Sequence, residues 1–279
     1  MPMTSSVFPA KAGTQPGPRV KPGVTTRCAR VLLPLGLLAA MPLPGYAAGS
    51  ASGELLVSAA TSLKDVMHAV TPLFERAHPG LKLRFNYGSS GQLRMQIENG
   101  APVDLFVAAA MSDMDSLEAK GLVAPGTRAV VARNTLVLVR GRAGQHPLSR
   151  AEDLVQEGIT RVAIGNPATV PAGRYAREAL ELRGLYGKLR DKLIFAETVR
   201  QVLDYVARGE VDAGFVFKTD ALLEVGSEVV ESIPSDQHAP ILYPAAALQG
   251  GKDVPNAAEF VGFLRSKTGS DTFRKYGFE

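Results

Sequence analysis

The chain has 279 residues, 46% of them hydrophobic, enough for one large domain or two ordinary ones. Its formal charge of +4 is concentrated at the start. Five of the 31 basic residues and none of the 27 acidic ones precede Ala48, so the remainder carries a net charge of −1. That near-neutral balance gives no support to nucleic-acid binding.

Lys11, Arg19, Lys21, Arg27 and Arg30 precede the apolar run VLLPLGLLAAMPLPG at 31–45, and small residues follow at Ala47-Ala48. A basic stretch, a short apolar stretch and small residues predict a secretory signal peptide over 1–47, with cleavage after Ala47. The apolar run is too short and too proline-rich to span a bilayer, and no later run is long enough. Cys28, the single cysteine, lies before the run. It therefore cannot be a lipidation cysteine at the cleavage point, and the mature chain is expected to have no disulfide or thiol chemistry. Export without disulfides suits the periplasm.

From Gly53 short apolar runs alternate with amphipathic segments, the pattern of a parallel α/β architecture. ELLVSAA predicts a strand. Leu63, Val66, Met67, Val70, Leu73 and Phe74 predict a helix over 62–78, which His78-Pro79-Gly80 stops. LKLRFNYG predicts a strand, 91–98 a helix, DLFVAAA a strand, and Met114, Leu117 and Leu122 a further helix. AVVARNTLVLVRG at 129–141 reads as one long extended run. A second series then follows: a helix over 148–156, strand RVAIGNP, a helix over 172–185, strand LIFAE, a helix over 199–208 and strand DAGFVFK. The extended segments VGSEVVESI and PILYPAAAL and a final helix over 257–267 complete the chain. The expected organisation is two αβ lobes, 49–133 plus 239–279 and 134–238, joined by two extended crossings, with a ligand cleft between the lobes.

Four strand-to-helix turns stand out because hydroxyls or unobstructed backbone sit at their tips. They are SAATSLKDV, Gly88-Ser89-Ser90-Gly91, GNPATVPAGRYAREAL and FAETVRQVL. Each alone reads as an ordinary cap. Four on one edge of two facing sheets read equally as an anion cradle, because helix N-termini offer free N–H donors and partial positive charge. No Arg or Lys stands at a tip, and Arg94 and Arg174 read as members of solvated helix faces. A donor-only site suits a fully deprotonated oxyanion, whereas a protonated one benefits from an acceptor.

The motifs AATSL, YGSSGQLRMQIENGAPVDLF, GNPATVPAGRYAREAL, ETVRQVL, GFVFKTDA and FRKYGF run across nearly the whole mature chain. In that order they resemble the periplasmic molybdate-binding proteins of ABC transporters. The resemblance implies a two-lobed type II periplasmic binding-protein fold, with two mixed sheets flanked by helices and two hinge crossings. It implies a protein without cofactor that closes on molybdate or tungstate and delivers it to an inner-membrane ABC permease as a monomer. Ser62 and Ser90 would give hydroxyl and backbone N–H contacts to the oxyanion oxygens, and Ala172 and Val199 backbone N–H contacts. None of these contacts would ligate the metal directly. Where the family carries a tyrosine in G-[IF]-V-Y, this chain has Phe217, which removes one hydroxyl unless Thr219, a water or another group replaces it.

Other classes find less support. His68, His78, His146 and His238 show no metal-ligand spacing, and Gly88-Ser89-Ser90-Gly91 is not a nucleophile elbow, so no enzyme is expected. Asp113-Met114-Asp115 reads as an acidic helix start. Tyr87, Tyr175, Tyr186, Tyr205 and Tyr243 are too dispersed in the sequence for a ferric site. A binding protein for sulfate, phosphate or a small organic anion is the remaining alternative.

Overall fold

A computed structural model describes residues 53–144 and 146–279. The signal segment expected over 1–47 lies outside the described residues.

The first half opens with β1 (Gly53–Ala60), a 3-10 turn (Thr61–Leu63) and α1 (Lys64–Ala77). Next come β2 (Leu81–Gly88), α2 (Ser90–Glu98), β3 (Leu105–Val107), α3 (Met111–Ala119) and β4 (Ala129–Arg133). The second half comprises β5 (Leu136–Gly141), a 3-10 turn (Ala151–Val155), β6 (Val162–Gly165), α4 (Pro171–Leu182) and α5 (Tyr186–Leu189). It continues with β7 (Leu193–Ala196), α6 (Val199–Ala207), β8 (Ala213–Phe217), α7 (Lys218–Ala221) and β9 (Ser227–Ser232). The chain then returns through β10 (Leu242–Ala247), α8 (Val254–Arg265) and α9 (Lys267–Lys275).

The strands form two five-stranded mixed sheets, ordered β2-β1-β3-β10-β4 and β7-β6-β8-β5-β9. The two orders match slot for slot. In each sheet the first three strands are parallel and the fourth is antiparallel to its neighbours. That fourth strand is the one entering from the other half of the chain. β1 and β6 are therefore equivalent, as are β2 and β7, and each pair presents its C-terminal turn in the same place. Ligands in open α/β sheets bind outside the carboxyl ends of such strands, where the order reverses.

Burial follows the apolar pattern. Val57, Ala59, Leu105 and Val107 are buried in the middle of the first sheet, as strands covered on both faces require. On α1 the buried residues are Val66, Met67, Val70 and Phe74, the helical spacing read in the sequence. Phe74 meets Phe260 of α8 at 4.8 Å between ring centroids, which fastens the C-terminal helix to the first half.

Three segments depart from expectation. Residues 129–141 are two strands in two different sheets, broken at Asn134 and Thr135; there the Asn134 side chain accepts from Thr135 N–H at 2.9 Å, in place of a ladder partner. The helix expected over 148–156 is a single 3-10 turn, held by Asp153 accepting from Ser149 and Arg150. The C-terminal helix is two helices, because Ser266 leaves the helical conformation and caps α9 through Gly269 N–H at 3.2 Å.

Candidate functional site

The turns after β1 and β2 face those after β6 and β7. Between them lies a small cavity lined by Ala60, Thr61, Ser62, Gly88, Ser89, Ser90, Ala109, Val170, Pro171, Ala172, Val199 and Phe217. Its cavity volume is about 10 Å³. All five residues singled out in the sequence, Ser62, Ser90, Ala172, Val199 and Phe217, line this one space. Among the described residues no charged side chain does.

Backbone donors converge on it. Ser90 and Val199 are the first residues of α2 and α6, and Ala172 is the second of α4. Residues at these positions have no intrahelical acceptor for their N–H. Ser62 lies in the 3-10 turn, likewise without an earlier carbonyl of its own turn to use. Among the described residues no loop carbonyl takes any of these four N–H groups.

The serines behave differently from expectation. Ser89 occupies the N-cap of α2 but makes no capping bond, and its buried Oγ has no partner among the described residues. The Gly91 N–H that a capping serine would take donates instead to Thr169 O across the cleft, at 2.9 Å. That approach requires glycine: a Cβ at Gly91 would stand 2.6 Å from the Thr169 oxygen. Gly173 is as crowded, with a Cβ placed 1.8 Å from Gly165 O. Ser62 also makes no side-chain cap. Thr198 is the turn residue that does cap, accepting from Gln201 N–H at 3.1 Å.

Both site serines are held from behind. Ser90 Oγ accepts from Ala109 N–H at 2.9 Å. Ser62 Oγ lies 3.1 Å from the hydroxyl of Tyr243, which accepts from Asn134 Nδ2 at 3.1 Å. Asn134 Nδ2 also donates to Thr219 Oγ1 at 2.9 Å, so Thr219 is engaged behind the cavity rather than lining it. Burial pushes the Tyr243 phenol well above its ordinary range, and it stays a neutral hydroxyl. Phe217, 1% exposed, packs near Tyr243 and Tyr175, with ring centroids 5.9 and 6.4 Å away. It is a core aromatic and a cavity wall at once.

Charges surround the cavity without entering it. Arg200 follows Val199 directly, and its Nη2 donates to Asp65 of α1 at 2.6 Å. Its Nε contacts the fully buried Asp220. Burial opposes the Arg200 charge, but Asp220 and Asp65 outweigh it and raise the guanidinium above its usual value. Burial likewise pushes the Asp220 carboxyl up to about 6, against the pull of Arg200. Arg174, two residues after Ala172, crosses to Asp113 of α3, and Arg94 reaches the same carboxylate at 3.3 Å. The reading of Arg94 and Arg174 as solvated is thus corrected. Their side chains are 22% and 24% exposed, drawn in by a carboxylate that is 3% exposed. Gln92 to Glu197 at 2.6 Å and Tyr175 to Ala109 O at 3.3 Å complete the contacts across the cleft.

Tyr243, Asn134, Asp65 and Asp113 carry parts of this site that sequence reasoning missed. Tyr243 was visible only as one of several scattered tyrosines. The alternation of PILYPAAAL gives its face, not its partner.

Residues 55–279 match the family model of the bacterial extracellular solute-binding proteins. A Bacillus subtilis relative named "Putative ABC transporter substrate-binding lipoprotein YvgL" is 38% identical over 224 residues, covering 80% of this chain and 85% of the relative. The molybdate-binding protein ModA of Escherichia coli is 34% identical over 256 residues, covering 88% and 97%. The solved periplasmic molybdate-binding protein of Azotobacter vinelandii superposes with a TM-score of 0.72 over 81% of this chain and 98% of that one, at 24% identity. That last likeness shows the fold, two mixed sheets flanked by helices in the type II periplasmic binding-protein arrangement. With the matching donor turns in place on both sheets, the chain belongs to the bacterial extracellular solute-binding protein family.

Proposed function

We propose that the protein captures tetrahedral molybdate, and tungstate with it, in the periplasm and hands it to an inner-membrane ABC permease. The observation that carries the reading is a donor-rich cavity: the hydroxyls of Ser62, Ser89 and Ser90 and four backbone N–H groups, with no charged side chain among the described residues of its wall. Helix N-termini supply partial positive charge to an anion. A dianion held by hydrogen bonds and dipoles escapes the tight capture of a full ion pair, as a delivery protein requires. The 34% identity to a molybdate-binding protein along most of both chains supports the same cargo.

The action is capture and release by a monomer, without cofactor or covalent chemistry. Lobes 49–133 plus 239–279 and 134–238 hinge about the crossings near Asn134 and Leu242 and close over a dehydrated anion. Ser62, Ser90, Ala172 and Val199 hold its oxygens, and Phe217 bounds it. Export through the signal peptide over 1–47 places the protein where the permease collects. Sulfate is the alternative cargo, because it too is tetrahedral and fully deprotonated at neutral pH. Hydrogen phosphate carries a proton for which this cavity offers poor acceptors.

Calorimetric titration with molybdate, tungstate, sulfate and phosphate tests the reading. Molybdate and tungstate are expected to bind at micromolar protein, and phosphate to compete only at far higher concentration. No heat with molybdate beside tight binding of sulfate overturns it.

A further inference from the structure

The bonds behind Ser62 have only one consistent direction. Thr135 N–H can only donate, so the Asn134 atom it reaches at 2.9 Å is the carbonyl oxygen Oδ1. The other terminal atom of that amide is therefore the nitrogen, which can only donate. It donates to Tyr243, whose oxygen is thus an acceptor toward Asn134. Tyr243 has one proton left to give, and Ser62 Oγ is its only other hydrogen-bond neighbour among the described residues. Ser62 consequently accepts from behind. Among the described residues its own proton has no acceptor, and it is turned to the cavity that Ser62 lines.

We propose that Asn134 and Tyr243 are specificity-determining positioning residues, a hydrogen-bond relay that makes Ser62 an obligate donor to the ligand. Neither lines the cavity. The Ala109 N–H does the same for Ser90 by backbone alone. The relay begins at the residue where the chain passes from one sheet to the other, between β4 and β5, and ends on the first anion-facing turn. It sets the chemical class of ligand: oxyanions that present acceptors only. The inference rests on the oxyanion reading above and adds the means by which one hydroxyl is oriented.

Asn134→Asp tests it, since the replacement keeps the shape and reverses the relay. A carboxylate accepts from Tyr243, Tyr243 then accepts from Ser62, and the Ser62 proton is withdrawn from the cavity while its lone pairs turn inward. The added negative charge alone repels molybdate and hydrogen phosphate alike, because both are dianions. Reversed polarity treats them differently, since only hydrogen phosphate brings a proton for Ser62 to accept. Dissociation constants for both anions are measured at pH 8, by titration for molybdate and by competition for phosphate. The wild-type protein, Asn134→Asp, Tyr243→Phe and the double variant are compared, with thermal unfolding midpoints for each.

Tyr243→Phe is expected to weaken molybdate about tenfold, the loss of one oriented hydrogen bond to a charged group. Asn134→Asp is expected to weaken molybdate at least tenfold more than it weakens phosphate. That difference is expected to vanish in the Tyr243→Phe background, where the relay is cut. Equal losses for the two anions overturn the relay, as does a difference that survives in the double variant. Absence of molybdate binding by the wild-type protein is a separate result. It overturns the cargo reading, and the comparison is then made with sulfate in place of molybdate.

Discussion

Arg200 Nη2 stands 2.6 Å from Asp65 Oδ2, tying the first turn of α6 to the first turn of α1 across the cleft. Both residues adjoin turns that line the cavity: Val199 immediately precedes Arg200, and Ser62 lies three residues before Asp65. Arg174 and Asp113 repeat the arrangement from α4 to α3, two residues after Ala172. Each guanidinium close enough to steer an anion is thus claimed by a carboxylate of the other half. The cavity keeps its neutral wall, and the ion pairs link the two halves beside it.

Asp65→Asn removes the cross-cleft partner while leaving Arg200 beside Asp220. Asp65 is 40% exposed, so solvent screens the pair and its contribution is at most about 1 kcal/mol. Anion release measured by stopped flow is expected to quicken by about twofold to fivefold at low salt, and to match wild type at high salt, where the pair is screened. Unchanged release at low salt would show that the pair forms without favouring closure.

Ser62→Ala and Ser90→Ala should each weaken anion binding by about tenfold to a hundredfold, the range for one hydrogen bond to a charged group. Neither serine caps its helix, so no cap is lost. Each replacement does leave a buried donor behind it without an acceptor, Tyr243 O–H or Ala109 N–H. That costs about 1–3 kcal/mol, within the stability of an ordinary domain. Titration and thermal unfolding together check this: a folded variant with wild-type affinity excludes that serine as a contact.

Gly91→Ala places a methyl group against Thr169 of the opposite half, 2.6 Å from its carbonyl oxygen. On the hinge motion proposed above, these turns meet only on closure, so the clash falls on closure and not on folding. Overpacking of this kind costs about 1–3 kcal/mol. Anion affinity is expected to fall by about fivefold to over a hundredfold, with the unfolding midpoint of the ligand-free protein unchanged. A drop in that midpoint with affinity intact would place the contact in the open form as well.

Phe217→Tyr adds a hydroxyl where Phe217 lines the cavity with a bare ring. Molybdate binding is expected to tighten by about tenfold to a hundredfold, since a hydrogen bond to a charged group contributes about 1.5–3 kcal/mol. Calorimetry decides. Unchanged or weaker binding would mean that the hydroxyls of Ser62, Ser89 and Ser90 already meet the anion's demand, or that the tight cavity has no room for a further oxygen.

Much of the site was legible because each contributing turn is local. Gly88-Ser89-Ser90-Gly91 joins a strand of period two to a helix of period 3.6, and the joint itself exposes N–H groups. The same grammar marked Ser62, Ala172 and Val199. It overstated the caps at Ser62 and Ser89, because the competing partner for Gly91 N–H is Thr169 in the other half. It also joined Ala129–Arg133 to Leu136–Gly141 as one run, since nothing in β-propensity tells which of two sheets a strand enters.

The sequence by itself determined the two αβ series, the strand-to-helix turns and the neutral character of their tips, all properties of neighbours along the chain. Tertiary structure alone decided that those turns share one cavity, that Arg174 and Arg200 are held away from it, and that Ser62 has a donor behind it. The bonds responsible join residues 61, 135 and 181 positions apart. Local periodicity carries no record of such pairings. They follow from two sheets built in the same order, with the C-terminal turns of one set against those of the other.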